Sequence, residues 1–179
     1  MSGAAAIVAA ARTPAAIRSL TLIDPFVRDM MPVWLMASIF GVLLGGPWRA
    51  ALWRTYFKKA SPTRLPSDYE EEAARRNANL AEPGRFAAFR RMTLASKSES
   101  ERRIAEVVAP VLVVMGTKDP DFPDPAKEAR HVATLLRADV AMIEGAGHDP
   151  QAEAPDDVIS HVLPFLQAVD TRANLADAT

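Results

Sequence analysis

Hydrophobic and polar positions follow two rhythms along this chain, and the clearer one runs from Val107 to Leu166. Val111 to Met115 is an unbroken apolar run that ends in Gly116 and an acidic loop holding Asp119, Asp121 and Asp124. Asp124-Pro125 then opens a helical pattern, since Asp is a favoured N-cap and Pro a favoured first helical residue. Ala129, Val132, Leu135 and Leu136 form its apolar face. A second apolar run, Val140 to Ile143, ends in Glu144-Gly145-Ala146-Gly147-His148. Pro155 opens a last helix with Val158, Ile159, Val162, Leu163 and Leu166 on its buried face, and Pro164 is expected to bend or shorten it. Apolar strands alternating with amphipathic helices predict parallel-sheet units.

Earlier in the chain the rhythm is weaker. Gly3 to Arg12 is rich in Ala and suits a helix that Thr13-Pro14 terminates, because a residue before Pro avoids the helical region. Ile17 to Ile23 reads as a strand stopped by Asp24-Pro25. From Phe26 to Pro110 helical patterns dominate, which predicts an inserted helical subdomain. Met30 to Trp48 carries no charge and, as one helix, would approach the roughly 30 Å of a bilayer core. Pro32, Pro47, Gly41, Gly45 and Gly46 break that run, so two buried or groove-lining helices are expected instead. Ser67-Asp68-Tyr69-Glu70 has the form of a capping box with Ser67 as N-cap, opening a helix to about Leu80. Arg85 to Leu94 predicts another, with Phe86, Phe89 and Met92 on one stripe. Arg75, Arg76, Arg85, Arg90 and Arg91 read as a solvated face. The tail after Asp170 reads as frayed. The expected division is 1–25 and 107–169 as core, 26–106 as helical insert and 170–179 as flexible tail.

Composition narrows the function classes. The 179 residues are 49% hydrophobic and 24% charged, as in a globular protein. A net charge of −1 gives no electrostatic reason to expect a nucleic-acid partner. The chain has no Cys, which excludes thiol nucleophiles and disulfides. The apolar stretch Ala4 to Ala11 is short and no Lys or Arg precedes it, so a cytoplasmic protein without a signal peptide is expected, with a membrane partner disfavoured.

The chemistry follows from topology. In open parallel sheets, ligands sit beyond the carboxyl ends of the strands. Asp119 and His148 each lie just past such an end on neighbouring units, so the fold is expected to bring an acid and a base together. Asp124 is explained as a helix cap, Asp121 as an exposed turn residue, and His131 and His161 as helix surface or packing residues. Asp119-x-Asp121-x-x-Asp124 lacks the Gly and distant Glu of a calcium loop, so no metal site is expected, and no cofactor motif is present.

VLVVMGTKDP followed by MIEGAGHDPQAEAPDDV resembles the carboxyl-terminal part of the α/β-hydrolase fold. The resemblance implies about three parallel strands with flanking helices and a helical cap over the site, with Asp119 as the triad acid and His148 as the base. Gly3 to Pro25 also looks like that family's helix after the nucleophile turn and its next strand. The family's nucleophile sits on a strand-to-helix turn, G-x-S-x-G. No such turn occurs here, and Ser2 has neither strand nor Gly before it, so the nucleophile is expected upstream of Met1. The implied activity is hydrolysis of an ester or similar bond in a small hydrophobic substrate, weak or absent in this chain. Two alternatives follow: a non-catalytic module that oligomerises or pairs through an apolar strand edge at 17–23, or membrane association through 30–48.

Overall fold

The computed structural model of the protein describes residues 2–177. In chain order the elements are helix α1 (Ser2–Arg12), strand β1 (Leu20–Ile23), helices α2 (Val33–Leu43), α3 (Arg49–Ala60), α4 (Tyr69–Ala81), α5 (Arg85–Leu94) and α6 (Ser98–Arg103), strand β2 (Val111–Gly116), helix α7 (Pro125–Leu136), strand β3 (Asp139–Ile143), the single turn α8 (Pro150–Glu153) and helix α9 (Pro155–Asp177). The strands form one parallel sheet in the order β1-β2-β3.

Every residue of β2 is buried. A strand paired on both edges and covered on both faces needs such an apolar run. Leu22 and Val140 lie opposite Val113 on its two sides. Alternate side chains point to opposite faces of a strand. Val111, Val113 and Met115 therefore join Ile7 and Ala10 of α1 and Ala129, Val132 and Leu136 of α7 in one core. Leu112 and Val114 join Ala141, Ile143 and Val158 in the other. Gly3 keeps α1 close to the end of β1, since a Cβ there would lie 2.9 Å from Pro25 Cβ.

Several expected boundaries shift, each for a local reason. The strand expected over Ile17 to Ile23 begins at Leu20. Ile17 N donates to Pro14 O and still closes a turn, and pairing with the neighbouring segment starts where Leu20 N donates to Pro110 O. Ser67 does not cap α4: the Pro66–Tyr69 turn takes it out of position, and Asp68 holds the cap site without a side-chain bond. Helix α9 runs through Pro164 to Asp177, neither shortened nor frayed after Asp170. Pro164 and Ser160 are both exposed, so the carbonyl left without an intrahelical donor faces water. Arg18 also donates to Asp170 and ties the helix to the segment before β1. Ala178 and Thr179 lie outside the described residues.

The buried seam of α9 is Val158, Val162, Phe165 and Val169, whereas Ile159, Leu163 and Leu166, expected inside, are 55%, 51% and 40% exposed. A sheet of three strands offers that helix only a narrow contact stripe. Leu135 of α7 and Met92 of α5 are likewise exposed. The uncharged stretch from Met30 to Trp48 gives one helix, α2, followed by a turn at the glycines. Against expectation, α2 buries none of its residues completely, and Trp34 is 71% exposed. Among the described residues no helix is long and apolar enough to cross a membrane.

Two truncations test this division of the helices. Ile7→Ala is expected to cost about 2–5 kcal/mol in urea unfolding, the range for emptying a filled core position. Leu163→Ala is expected to stay within about 0.5 kcal/mol of the parent, as surface changes do.

Candidate active site

The tips of β2 and β3 are laced together before any functional side chain is placed. Thr117 N donates to Ile143 O at 3.0 Å, Lys118 N to Ala146 O at 2.9 Å, and Gly145 N to Thr117 Oγ1 at 2.8 Å. The close approach leaves no room for a side chain at Gly116, where a Cβ would lie 2.1 Å from Gly147 O. Gly145 takes φ +76, in the left-handed region that suits Gly. This lacing carries Asp119 and His148 to one spot, with His148 Nδ1 2.8 Å from Asp119 Oδ2. Asp119 Oδ1 accepts from Asp121 N at 2.8 Å, so both carboxylate oxygens are engaged.

Asp119 is buried, while the His148 side chain keeps 25% of its surface exposed. Among the described residues Nε2 has no hydrogen-bond partner, and Phe26 packs against the ring at 5.6 Å between centroids. Burial alone would lower the imidazole's affinity for a proton. The hydrogen bond and charge of Asp119, helped by the charges of Asp121 and Asp149, outweigh burial and hold His148 above its ordinary range. Asp121 is not the exposed turn residue the pattern implied. It lies half-buried, 3.5 Å from His148 Nδ1, and accepts from the Tyr56 hydroxyl at 2.6 Å. Burial first, then donation to Asp121, pushes the Tyr56 phenol well above its usual range. Asp124 caps α7 as expected, accepting from Lys127 N. His131 and His161 are exposed on α7 and α9, away from the pair.

The segment between β1 and β2 grips the histidine loop through both backbone and side-chain atoms. His148 N donates to Ala60 O, the last residue of α3, at 2.8 Å. Thr63 Oγ1 donates to Gly145 O, and Gly147 N donates to the buried Glu153 Oε1 at 2.7 Å. An aromatic cluster of Trp53, Tyr56, Phe57 and Phe89 holds α3 against α5. Arg76 lies over Phe57 at 3.8 Å rather than on the solvated face expected for it.

Asp24, read from the pattern only as a strand terminator, occupies the tip of β1 beside this pair. It is 3% exposed, and its Oδ1 accepts from Gly116 N at 3.1 Å. Donor atoms of Asp24, Asp119 and His148 all lie within 4.8 Å of one another. Its position past a strand end, like that of Asp119, was the available signal. Tyr56 carried no comparable signal, because its partner Asp121 belongs to a distant element. Ser2 begins α1 and is exposed, and among the described residues no serine hydroxyl bonds to His148; Met1 lies outside the described residues.

Gly147 is the tightest point of this grip. A Cβ there would meet Ala60 O at 2.0 Å and Pro62 Cδ at 2.4 Å. Gly147→Ala is therefore expected to cost about 1–3 kcal/mol, as overpacking does, and to break the bond from His148 N to Ala60 O. Hydrogen exchange at the His148 amide checks this: exchange should become faster in the variant while the β2 amides stay protected.

With the geometry in place, comparison with known proteins is informative. The model of the alpha/beta hydrolase family matches residues 2–161. No curated protein sequence matches significantly. Among solved structures, a putative lipase from Acinetobacter baumannii AYE is similar with TM-score 0.69 at 21% identity, over 95% of this chain and 59% of that one. A 2-hydroxy-6-oxo-6-phenylhexa-2,4-dienoate hydrolase from Rhodococcus sp. strain RHA1 has TM-score 0.72 at 16% identity, over 93% and 61%. A thermophilic esterase from Thermogutta terrifontis has TM-score 0.67 at 20% identity, over 93% and 62%. The chain thus spans about three fifths of the length of these structures. Across nearly its whole described length, from α1 into α9, this chain belongs to the alpha/beta hydrolase family.

Proposed function

We propose that Asp119 and His148 are the acid and base of a serine-type hydrolase acting on an ester or similar bond of a small molecule. The observation that carries this reading is the 2.8 Å contact between His148 Nδ1 and Asp119 Oδ2. With Nδ1 donating to the carboxylate, Nε2 is left unprotonated and can take a proton from a hydroxyl nucleophile. The imidazolium formed in that step stays beside Asp119, with Asp121 near it, and both negative charges favour it. The helices between β1 and β2, within residues 26–106, act in this proposal as a cap over the acid–base pair. A cavity of about 360 Å³, lined by Phe57, Ser61, Tyr69, Arg76 and Asp149 and not by Asp119 or His148 themselves, lies where cap and histidine loop meet, and we propose that it takes the body of a small-molecule substrate. Its walls mix aromatic and charged groups, so the substrate we propose carries a polar group on an apolar body.

No serine hydroxyl among the described residues is hydrogen-bonded to His148, so we propose that residues 1–179 alone lack the nucleophile. The expected outcome is no hydrolysis of p-nitrophenyl butyrate above that of His148→Ala, and no covalent label from a fluorophosphonate. Turnover that disappears in His148→Ala, or a label on Ser2, would show the machinery to be complete.

The acid–base pair is tested without turnover. Asp119→Asn is expected to lower the titration midpoint of His148, followed by ring NMR, while His131 and His161 stay unchanged. The sign for stability follows from linkage. His148 binds its proton more tightly folded than unfolded, so its contribution is full below the unfolded value near 6.5 and fades as pH rises through the folded midpoint. The urea midpoint of Asp119→Asn should fall furthest below the parent at acidic pH and approach it at alkaline pH.

A further inference from the structure

Asp24 combines three features that strand termination does not explain. Its backbone sits at φ 40, in the left-handed region that non-glycine residues rarely adopt. Its carboxyl is almost wholly removed from solvent, at 3% exposure. Its Oδ1 accepts from Gly116 N, but the buried Oδ2 has no donor among the described residues. Asp24 N also donates to Val114 O at 2.9 Å, so the residue is anchored to β2 from both backbone and side chain. This anchoring holds it against Asp119, whose own two oxygens are taken by Asp121 N and His148. Two carboxylates so close in a dry site cannot both stay ionised, and a proton between them removes the conflict.

We propose that Asp24 is a positioning residue for the Asp119–His148 pair: its carboxyl is neutral, donates from Oδ2 to the Asp119 carboxylate, and holds that carboxylate in line with the imidazole. The proposal rests on Asp119 and His148 acting as acid and base. The donor supplied this way satisfies the one polar atom of Asp24 that lacks a partner, and it leaves Asp119 as the ionised member facing His148. Asp149 adds negative charge toward Asp24, while the oxygens of Asp119 accept from His148 and from the Asp121 amide, with the like charge of Asp121 opposing. Burial first, then the charge of Asp119 and the hydrogen bond to it, pushes Asp24 up to about 10.

Measurements on the 179-residue protein decide the matter. At about pH 7, above the ordinary carboxylate range, the side-chain ¹³Cγ resonances of wild type should show Asp24 as a neutral carboxyl and Asp119 as a carboxylate. An ionised Asp24 in that spectrum overturns the proposal, even if no Asp24 variant folds. Asn can reproduce both the donor and the acceptor of a neutral Asp and tolerates left-handed backbone. Asp24→Asn should therefore leave the His148 midpoint where it is, whereas loss of a charged Asp24 would lower it. Asp119→Asn is the reference arm. If it lowers the midpoint and Asp24→Asn does too, the acid–base pair stands and the shared proton falls; if Asp119→Asn moves nothing, both fall.

The stability readout has a definite sign. The folded protein holds the Asp24 proton more tightly than the unfolded chain, so stability declines progressively as pH rises from about 4, the unfolded value, toward about 10, the folded one. The urea midpoint of wild type should fall relative to that of Asp24→Asn between about pH 5 and about pH 9, because Asn has no proton to lose. Parallel curves overturn the proposal. So does a one-to-one shift of the Asp24 and His148 resonances by added zinc, which would put a cation where we place the proton.

Discussion

A buried carboxylate needs donors for its oxygens and a positive partner within reach, and Asp119 obtains both from a loop of its own chain and from the neighbouring strand. That requirement organises the far end of the sheet. His148 can meet Asp119 because two loops are laced by hydrogen bonds so closely that a Cβ at Gly116 would collide with Gly147 O, while Gly145 takes the left-handed backbone that suits glycine. The same closeness excludes water from Asp119, which strengthens its hold on the imidazole. Packing, loop geometry and proton affinity are here one problem with one solution.

The helices inserted between β1 and β2 belong to this arrangement and do not merely cover it. Their one direct bond to the histidine is from His148 N to Ala60 O, backbone to backbone. Tyr56, a turn earlier on α3, reaches Asp121 and donates to one of the charged oxygens around the ring, which favours its ionised form. A shift of α3 therefore reaches the imidazole by two routes, its own amide and the acid beside it. Much of the rest of the insert is loosely packed. Its aromatic cluster anchors α3 and α5, while α2 keeps large apolar side chains in water.

Much of the core was legible in the residues, and the reasons for success and failure are physical. Val111 to Met115 is apolar at every position, which only a strand covered on both faces requires, and β2 is such a strand. Asp124-Pro125 combines a side-chain cap with a preset backbone angle, and α7 starts there. Local signals failed where a competing local bond existed, as at Ser67, or where burial depended on the number of strands beneath a helix, as at Ile159 and Leu163. The proximity of Asp119 and His148 could be read because strand tips in parallel sheets converge. The place of Asp24 could not, since a carboxyl after a strand and before Pro also reads as plain punctuation. Tyr56 and Ala60 were out of reach, because their partners lie 65 and 88 positions away in the chain and no periodicity links them.

The contact of Gly147 with Ala60 has a bearing on how such chains can be rebuilt. Since the main-chain oxygen of Ala60 fills the space above that glycine, with the Pro62 ring beside it, the identity of residue 60 matters little and its path matters a great deal. A foreign insert grafted between β1 and β2 would keep the histidine loop seated if its helix ended at the same height and angle and it kept the side chains of Tyr56, Pro62 and Thr63 that touch the loops. One of matching composition but different pitch at that end would leave the loop without its ceiling.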